Sequence, residues 1–293
     1  MPVNKTITIA GKTAQPFTVN RPGYGTMRLT GPMFYGEPAD REGAKAILKK
    51  GVDNGVNFLD TADYYGDDVT NRLIVEALFP YTPDLVICTK VGGARRPNAS
   101  WYAFNSPENL RTSIERNLTT LKLEQIQLVH FRIIPGTDIP LKESMDAMFD
   151  MQKEGKIRHV GISNVNREEL ETVMKMGQIA SVENMYGHAQ RTTITTGHMR
   201  DRGGEEVLDI CEENNIPLVP YFSLHHASAK KDSRISVIAE KYGVTDAQVN
   251  IAWLIHKSPW ILPIPGTTSL AHLQENISAA DITLTEEDMF YLH

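Results

Sequence analysis

The residues with chemistry to offer fall at the ends of short apolar runs. In "NFLDTADYYG", Phe58 and Leu59 lead into Asp60 and two adjacent phenols, Tyr64 and Tyr65. Lys90 ends a second run in "LVICTK", and His130 a third in "IQLVHF". A polar residue closing a strand is ordinarily a turn former, but an acid, a phenol, an amine and an imidazole on successive runs form a proton-transfer set. A tyrosine with a pKa near ~10 is a poor acid–base group at neutral pH. A neighbouring ammonium lowers that pKa, a carboxylate holds the ammonium, and an imidazole orients a substrate oxygen. None of these groups is a convincing covalent nucleophile, and neither GxSxG nor HExxH occurs. His225 and His226 are adjacent, so one face cannot present both to a metal, and no metal is expected. The set suits proton delivery to an oxygen whose carbon is attacked by something else, for which a hydride from a bound cofactor is the fitting agent.

Eight apolar, β-branched runs are candidate strands to carry such a set: 24–27, 57–60, 85–89, 126–131, 157–162, 180–184, 217–221 and 261–264. Helix-period segments lie between them. "SPENLRTSIERNLTTL" offers Ser106 as N-cap, Pro107 at the first helical position, and a stripe of Leu110, Ile114, Leu118 and Leu121. "REGAKAILKKGVDNG" and "TDAQVNIAWLIHK" repeat that pattern. Strands apolar throughout and alternating with helices predict a parallel sheet covered by helices. Roughly 250 residues of repeat predict an α/β fold of the closed (β/α)8 TIM-barrel type rather than an open doubly wound sheet. No GxGxxG follows the first strand. Residues 6–9 and 16–19 flank Gly11 as a short N-terminal β-hairpin. With no linker or low-complexity break, residues 1–293 read as a single domain.

The 293 residues are 41% hydrophobic and carry a net charge of −6, which argues against nucleic acid or an anionic membrane as partner. Two cysteines, Cys88 and Cys211, make no disulfide framework and fit buried thiols in a reducing cytoplasm. The N-terminus lacks the apolar run of a signal peptide, and no stretch is long enough to span a bilayer.

The stretch "DTADYYG" resembles the D-T-A-x-x-Y-G motif of the aldo-keto reductases, nicotinamide-dependent carbonyl reductases built on (β/α)8 barrels. "TKVGG", "IQLVHF", "GKIRHVGISN", "PYFSL" and "IPGTTSLAHLQENISA" are similar to further family segments in the family's order. "NRPGYGTMRLTGP", "TKVGGARR" and the last of these look closest to bacterial pyridoxal-reductase-like members. The resemblance implies that Tyr65 protonates a carbonyl oxygen, Lys90 depresses its pKa, Asp60 pairs with Lys90, and His130 orients the carbonyl. Tyr64 is left as packing or pocket wall. Cofactor contacts are implied for Gly25, Thr26 and Met27, for Ser163 and Asn164 on the nicotinamide carboxamide, and for Glu183. Tyr221 would stack on the ring beside Ser223 and Leu224, and Gly266, Thr267, Thr268, His272, Glu275 and Asn276 would meet the adenosine phosphate at a helix N-terminus.

The chain departs from the family pattern at two places. Gly266 and His272 stand where many members have lysine and arginine, which removes fixed positive charge; NADPH is still expected over NADH. Glu183 stands where glutamine is usual, and an ionised carboxylate there would favour the oxidised, positively charged nicotinamide. Trp101 and Phe131, with Tyr102 and Met27, are expected as pocket lining, and Arg95, Arg96 or Arg132 as contacts for an anionic group. The chain ends at His293 without the long C-terminal loop of some members, which predicts an open site with broad specificity for aldehydes, including aromatic ones. The expected function is an NADPH-dependent aldehyde reductase acting on a small-molecule carbonyl. Its alternatives are a pyridoxal reductase of vitamin B6 salvage and a cofactor-binding regulatory subunit.

Overall fold

A computed structural model describes residues 4–96, 98–194, 202–224 and 232–293, which leaves His225 and His226 outside the described residues. The first two strands, β1 (Thr6–Ile9) and β2 (Phe17–Asn20), pair as the expected antiparallel hairpin. The parallel sheet then runs in the order β3 (Tyr24–Gly25), β4 (Phe58–Asp60), β5 (Val86–Arg95), β7 (Ile126–Arg132), β8 (Ile157–Ser163) and β9 (Val182–Glu183). Single parallel bridges continue it from Val182 to Leu218 and from Leu218 to Ile261. A 2.9 Å hydrogen bond from Gly23 N to Pro263 O brings it back to β3. The eight staves thus close a (β/α)8 barrel, with helices such as α1 (Arg41–Asp53), α2 (Val69–Leu78), α3 (Pro107–Leu121), α8 (Asp246–Lys257) and α9 (Leu270–Ser278) packed around it.

The strands are apolar on both faces for two different reasons. Leu59, Ile87, Val129 and Phe131 turn outward and pack under the helices. Phe58, Val86, Cys88 and Leu128 turn inward, where Ile7, Ile9 and Val19 of the hairpin join them in one cluster. Since strand side chains alternate, Asp60, Lys90, His130 and Arg132 must lie on that same interior face, farther along the strands. The chemistry therefore sits inside the barrel at the carboxyl ends of the strands.

Helix starts follow local rules. The Ser106 side chain accepts from Asn109 N with Pro107 next to it, and Thr245 forms a capping box with Gln248. Strand β5 runs past the expected 85–89 and folds back on β6 (Trp101–Phe104), an antiparallel hairpin at the barrel mouth that the apolar runs do not announce.

Candidate active site

Strand β4 ends at Asp60, and the chain turns at Gly66, whose φ of +68° is the left-handed region that glycine adopts at least cost. A buried side-chain network fixes this corner. Thr61 donates to Asn71 on α2, Asn71 donates to Asn117 on α3, and Thr89 on β5 donates to the same Asn117 oxygen. The ends of β4 and β5 are thereby tied to two helices and to each other.

Lys90 Nζ lies 2.6 Å from each oxygen of Asp60 and 3.5 Å from Glu183 Oε1, all fully buried. Burial alone would lower the Lys90 pKa, but Asp60, Glu183 and the two phenols outweigh it and hold it well above its ordinary value. It is an ammonium at any physiological pH. Burial also pushes Glu183 up, yet Lys90, His130 and Arg132 together bring it down to about 2. Burial and the Glu183 charge push Asp60 the other way against the pull of Lys90, so Asp60 is the weaker acid of the two. Asp60, Cys88 and His130 place donor atoms within 4.8 Å of one another, but the ammonium already occupies both Asp60 oxygens.

The Lys90 ammonium stands 5.0 Å from the centroid of the Tyr65 ring. Tyr65 lines a cavity of about 690 Å³ at the barrel mouth, and its hydroxyl makes no hydrogen bond to another described residue. Burial raises its pKa, and the ammonium offsets only part of that rise. Lys90 thus lowers the Tyr65 pKa as expected, but in a site this enclosed desolvation of the phenolate is the larger effect, and the net direction is upward.

His130 does not line the cavity. Its Nε2 is 2.7 Å from Ser181 Oγ, while Nδ1 lies 3.2 Å from Cys88 Sγ and 3.1 Å from Glu183 Oε2. The ring lies over Gly161, where a β-carbon would come within 2.4 Å of it, so only glycine leaves room. Phe131 was expected in the pocket and is not there. Lying between the inward His130 and Arg132, it points out to the helix-side cluster with Val91, Leu110 and Ile114. Arg132, two residues beyond His130 on the inner face, does line the cavity.

Among the expected cofactor contacts, Gly25, Met27, Asn164, Glu183, Tyr221, Ser223, Leu224 and Gly266 line the cavity. Thr26 and Ser163 do not line it directly: Thr26 Oγ1 donates to the Asp60 carbonyl, and Ser163, on the inner face of β8, accepts from the cavity-lining Arg132. Thr267, Thr268, His272, Glu275 and Asn276 cluster at the start of α9 but do not reach the cavity; Thr268 and His272 are exposed. Trp101 and Tyr64 line the cavity, edge to face with centroids 5.1 Å apart. Tyr102 is instead covered by Arg96, and Arg95 is held by Met33 O and the face of Trp101. Phe34, Ile134, Met185 and Phe222 also line the cavity and were missed. Only Met185 had a sequence signal, the inward parity it shares with Glu183.

A nicotinamide fits these residues. Glu183 Oε2 is buried with no aligned hydrogen-bond donor, the Asn164 Oδ1 atom receives only a 3.3 Å contact from Tyr221, and the Tyr221 ring offers a flat apolar face.

The aldo/keto reductase family model matches residues 23–293. The chain belongs to the aldo/keto reductase family. It is an oxidoreductase of that family, and pyridoxine 4-dehydrogenase of Escherichia coli is 38% identical to it over 92% of both chains. An uncharacterized oxidoreductase of Schizosaccharomyces pombe is 35% identical over 92% of this chain and 84% of that one. Among solved structures, a thermostable aldo-keto reductase in complex with the inhibitor epalrestat superimposes with a TM-score of 0.80 at 29% identity, over 96% of each chain. An aldo/keto reductase from Klebsiella pneumoniae in complex with NADP and acetate gives 0.77 at 26% identity, over 99% of this chain and 94% of that one. Among the described residues of this aldo/keto reductase, no helix is long and apolar enough to cross a membrane.

Proposed function

We propose that this aldo/keto reductase reduces aldehydes to primary alcohols with NADPH, and that Tyr65 is the proton donor. The observation that carries the reading is a protonated phenol facing the cavity with a clamped ammonium 5.0 Å from its ring centroid. The bound nicotinamide would supply the hydride. Tyr65 gives its proton to the carbonyl oxygen as negative charge builds there, and the Lys90 ammonium stabilises the phenolate left behind. Asp60 holds the ammonium in place, and regains for it the charge balance that burial would otherwise remove. His130 lies beneath the cavity with Nδ1 3.1 Å from Glu183 Oε2 and no aligned hydrogen bond to it, and would support that carboxylate rather than touch the substrate.

Glu183, Asn164 and Tyr221 would hold the nicotinamide, and Thr268, Ser269 and the first turn of α9 the distal phosphates. The Klebsiella neighbour crystallised with NADP supports the choice of cofactor. Within aldehydes, pyridoxal is the favoured candidate, because the E. coli relative is a pyridoxine 4-dehydrogenase and because Phe34, Trp101 and Phe222 offer aromatic faces in the cavity wall. An ionised Glu183 beside the nicotinamide favours its oxidised form, which would make alcohol oxidation accessible as well. The test is cofactor oxidation with a panel of aldehydes including pyridoxal, run with NADPH and with NADH. Absence of turnover with every aldehyde would overturn the reading.

A further inference from the structure

Most charged groups at the barrel mouth are already engaged: Lys90 by two carboxylates, Arg95 by Met33 O and Trp101, Arg96 by Tyr102. Arg95 still has Nε and Nη1 buried without partners, and Arg28 also lines the cavity, but it is Arg132 that stands on the inner face of β7 directly above His130. Its guanidinium lines the cavity, donates one 3.2 Å hydrogen bond from Nη1 to the neutral Ser163 hydroxyl, and lies 4.8 Å over the Tyr221 ring. It forms no ion pair with a described carboxylate. Although burial opposes it, the phenols and Glu183 hold its charge firmly in place. Strand rise puts it about 6.6 Å farther toward the mouth than His130, on the same inner face. A second unspent donor is close by. The Tyr64 hydroxyl is buried without a partner in the wall of the same cavity, the ring being 5% exposed. The Arg132 charge acts on that hydroxyl against the effect of burial.

A half-buried guanidinium with free donors and a buried orphan hydroxyl, facing one cavity, need an anionic oxygen to satisfy them. The rest of the wall states what carries that oxygen. Phe34, Trp101, Ile134 and Phe222 line a slot suited to a flat ring. Tyr65, which donates to the carbonyl, adjoins Tyr64, with ring centroids 5.4 Å apart. The anionic oxygen must therefore sit beside the reacting carbonyl on the same ring. We propose that Arg132 and Tyr64 are specificity residues for aromatic aldehydes bearing an ionised hydroxyl ortho to the aldehyde. Pyridoxal belongs to that class, and an aliphatic 2-oxo acid does not. The inference rests on the aldehyde-reductase reading above.

The experiment compares salicylaldehyde with 2-methoxybenzaldehyde, which keeps the ring and aldehyde but cannot ionise, and with phenylglyoxylate, whose anion is a carboxylate. In the unaltered enzyme, the preference for salicylaldehyde in kcat/KM should rise with pH as its phenol ionises. Arg132→Gln should cut that preference at least about tenfold, mainly through KM, and flatten its rise with pH. Tyr64→Phe should cut it by about threefold to fivefold, and Arg132→Lys should restore part of it. Quenching of tryptophan fluorescence by salicylaldehyde, with NADP present, should weaken by the same factors, which reads binding apart from turnover. Equal losses on salicylaldehyde and 2-methoxybenzaldehyde would overturn the proposal, as would a preference that Arg132 confers on phenylglyoxylate instead. If no aldehyde is turned over, the reductase reading has failed, while the fluorescence titration still tests the anion site.

Discussion

Two adjacent layers of the barrel interior use their polar groups in opposite ways. In the lower layer, Asp60, Lys90, Glu183 and His130 are fully buried and contact one another at 2.6 to 3.5 Å. In the layer above, Arg132 and Tyr64 face the cavity with hydrogen-bonding capacity to spare, and Tyr65 joins them there with a free hydroxyl. Burying a charge is tolerable only when it is paired, so the lower layer holds its charges in position, with Asp60 and Glu183 still bordering the cavity. Polar groups left unpaired at a cavity wall are those that a ligand can satisfy. Successive inward positions on one strand, His130 and Arg132, thus differ in whether their polar groups are paired.

The strongest break in this comparison is Tyr65→Phe, which removes the only group proposed to move a proton from the upper layer. Turnover should fall by about 10²- to 10⁴-fold while the cofactor dissociation constant holds, measured by single-turnover kinetics and fluorescence titration. Activity close to that of the unaltered enzyme would mean the acid lies elsewhere. Next in size is Lys90→Met, which strips the cation from between Asp60 and Glu183. Two uncompensated buried carboxylates should destabilise the fold by about 3–5 kcal/mol in urea unfolding, and Asp60→Asn in the same chain should restore part of it. No recovery in the double variant would show that the layer is not held together by this pair.

Phe131→Ala tests the strand's parity directly. It lies outside both layers, so it should cost about 3–5 kcal/mol of stability and leave substrate preference among aldehydes where it was. A changed preference would put Phe131 back in the pocket. The smallest effect is expected for Glu183→Gln. Loss of its charge should move the ratio of reduced to oxidised cofactor affinity about tenfold toward the reduced form, which is about 1.4 kcal/mol; an unchanged ratio ends that idea. The same variant has a pH signature. Glu183 is held at about 2, below its ordinary value, so its stabilising contribution is complete above the ordinary carboxylate range and is lost as pH falls through about 2. The stability gap between Glu183→Gln and the unaltered chain should accordingly be about 1–3 kcal/mol at neutral pH and close in acid.

Much of the fold was legible because its signals are local. The runs ending at Asp60, Lys90 and His130 are strands β4, β5 and β7, and Ser106-Pro107 starts α3 as its capping chemistry requires. Where the regular structure shrinks, the apolar runs overstate it: 217–221 and 261–264 join the barrel through isolated bridges at Leu218, Tyr221 and Ile261 and a few further backbone hydrogen bonds. Hairpin strand β6 was hidden because "WYAF" has no alternation that distinguishes a mouth-covering strand from pocket lining. In the site, Phe131 was misplaced because its type suits either face of β7, and the partners of His130 were hidden because Ser181 and Glu183 come from a stave some fifty residues on.

The sequence by itself determined the barrel, its hairpin and the strand ends that carry Asp60, Tyr65, Lys90 and His130, since apolar periodicity and capping act within one or two turns of chain. Only the tertiary structure decided which of those groups face the cavity. Pairing, burial and the free energy of leaving a donor unsatisfied depend on residues brought in from other staves, and those distances put His130 beneath the cavity and Arg132 in its wall.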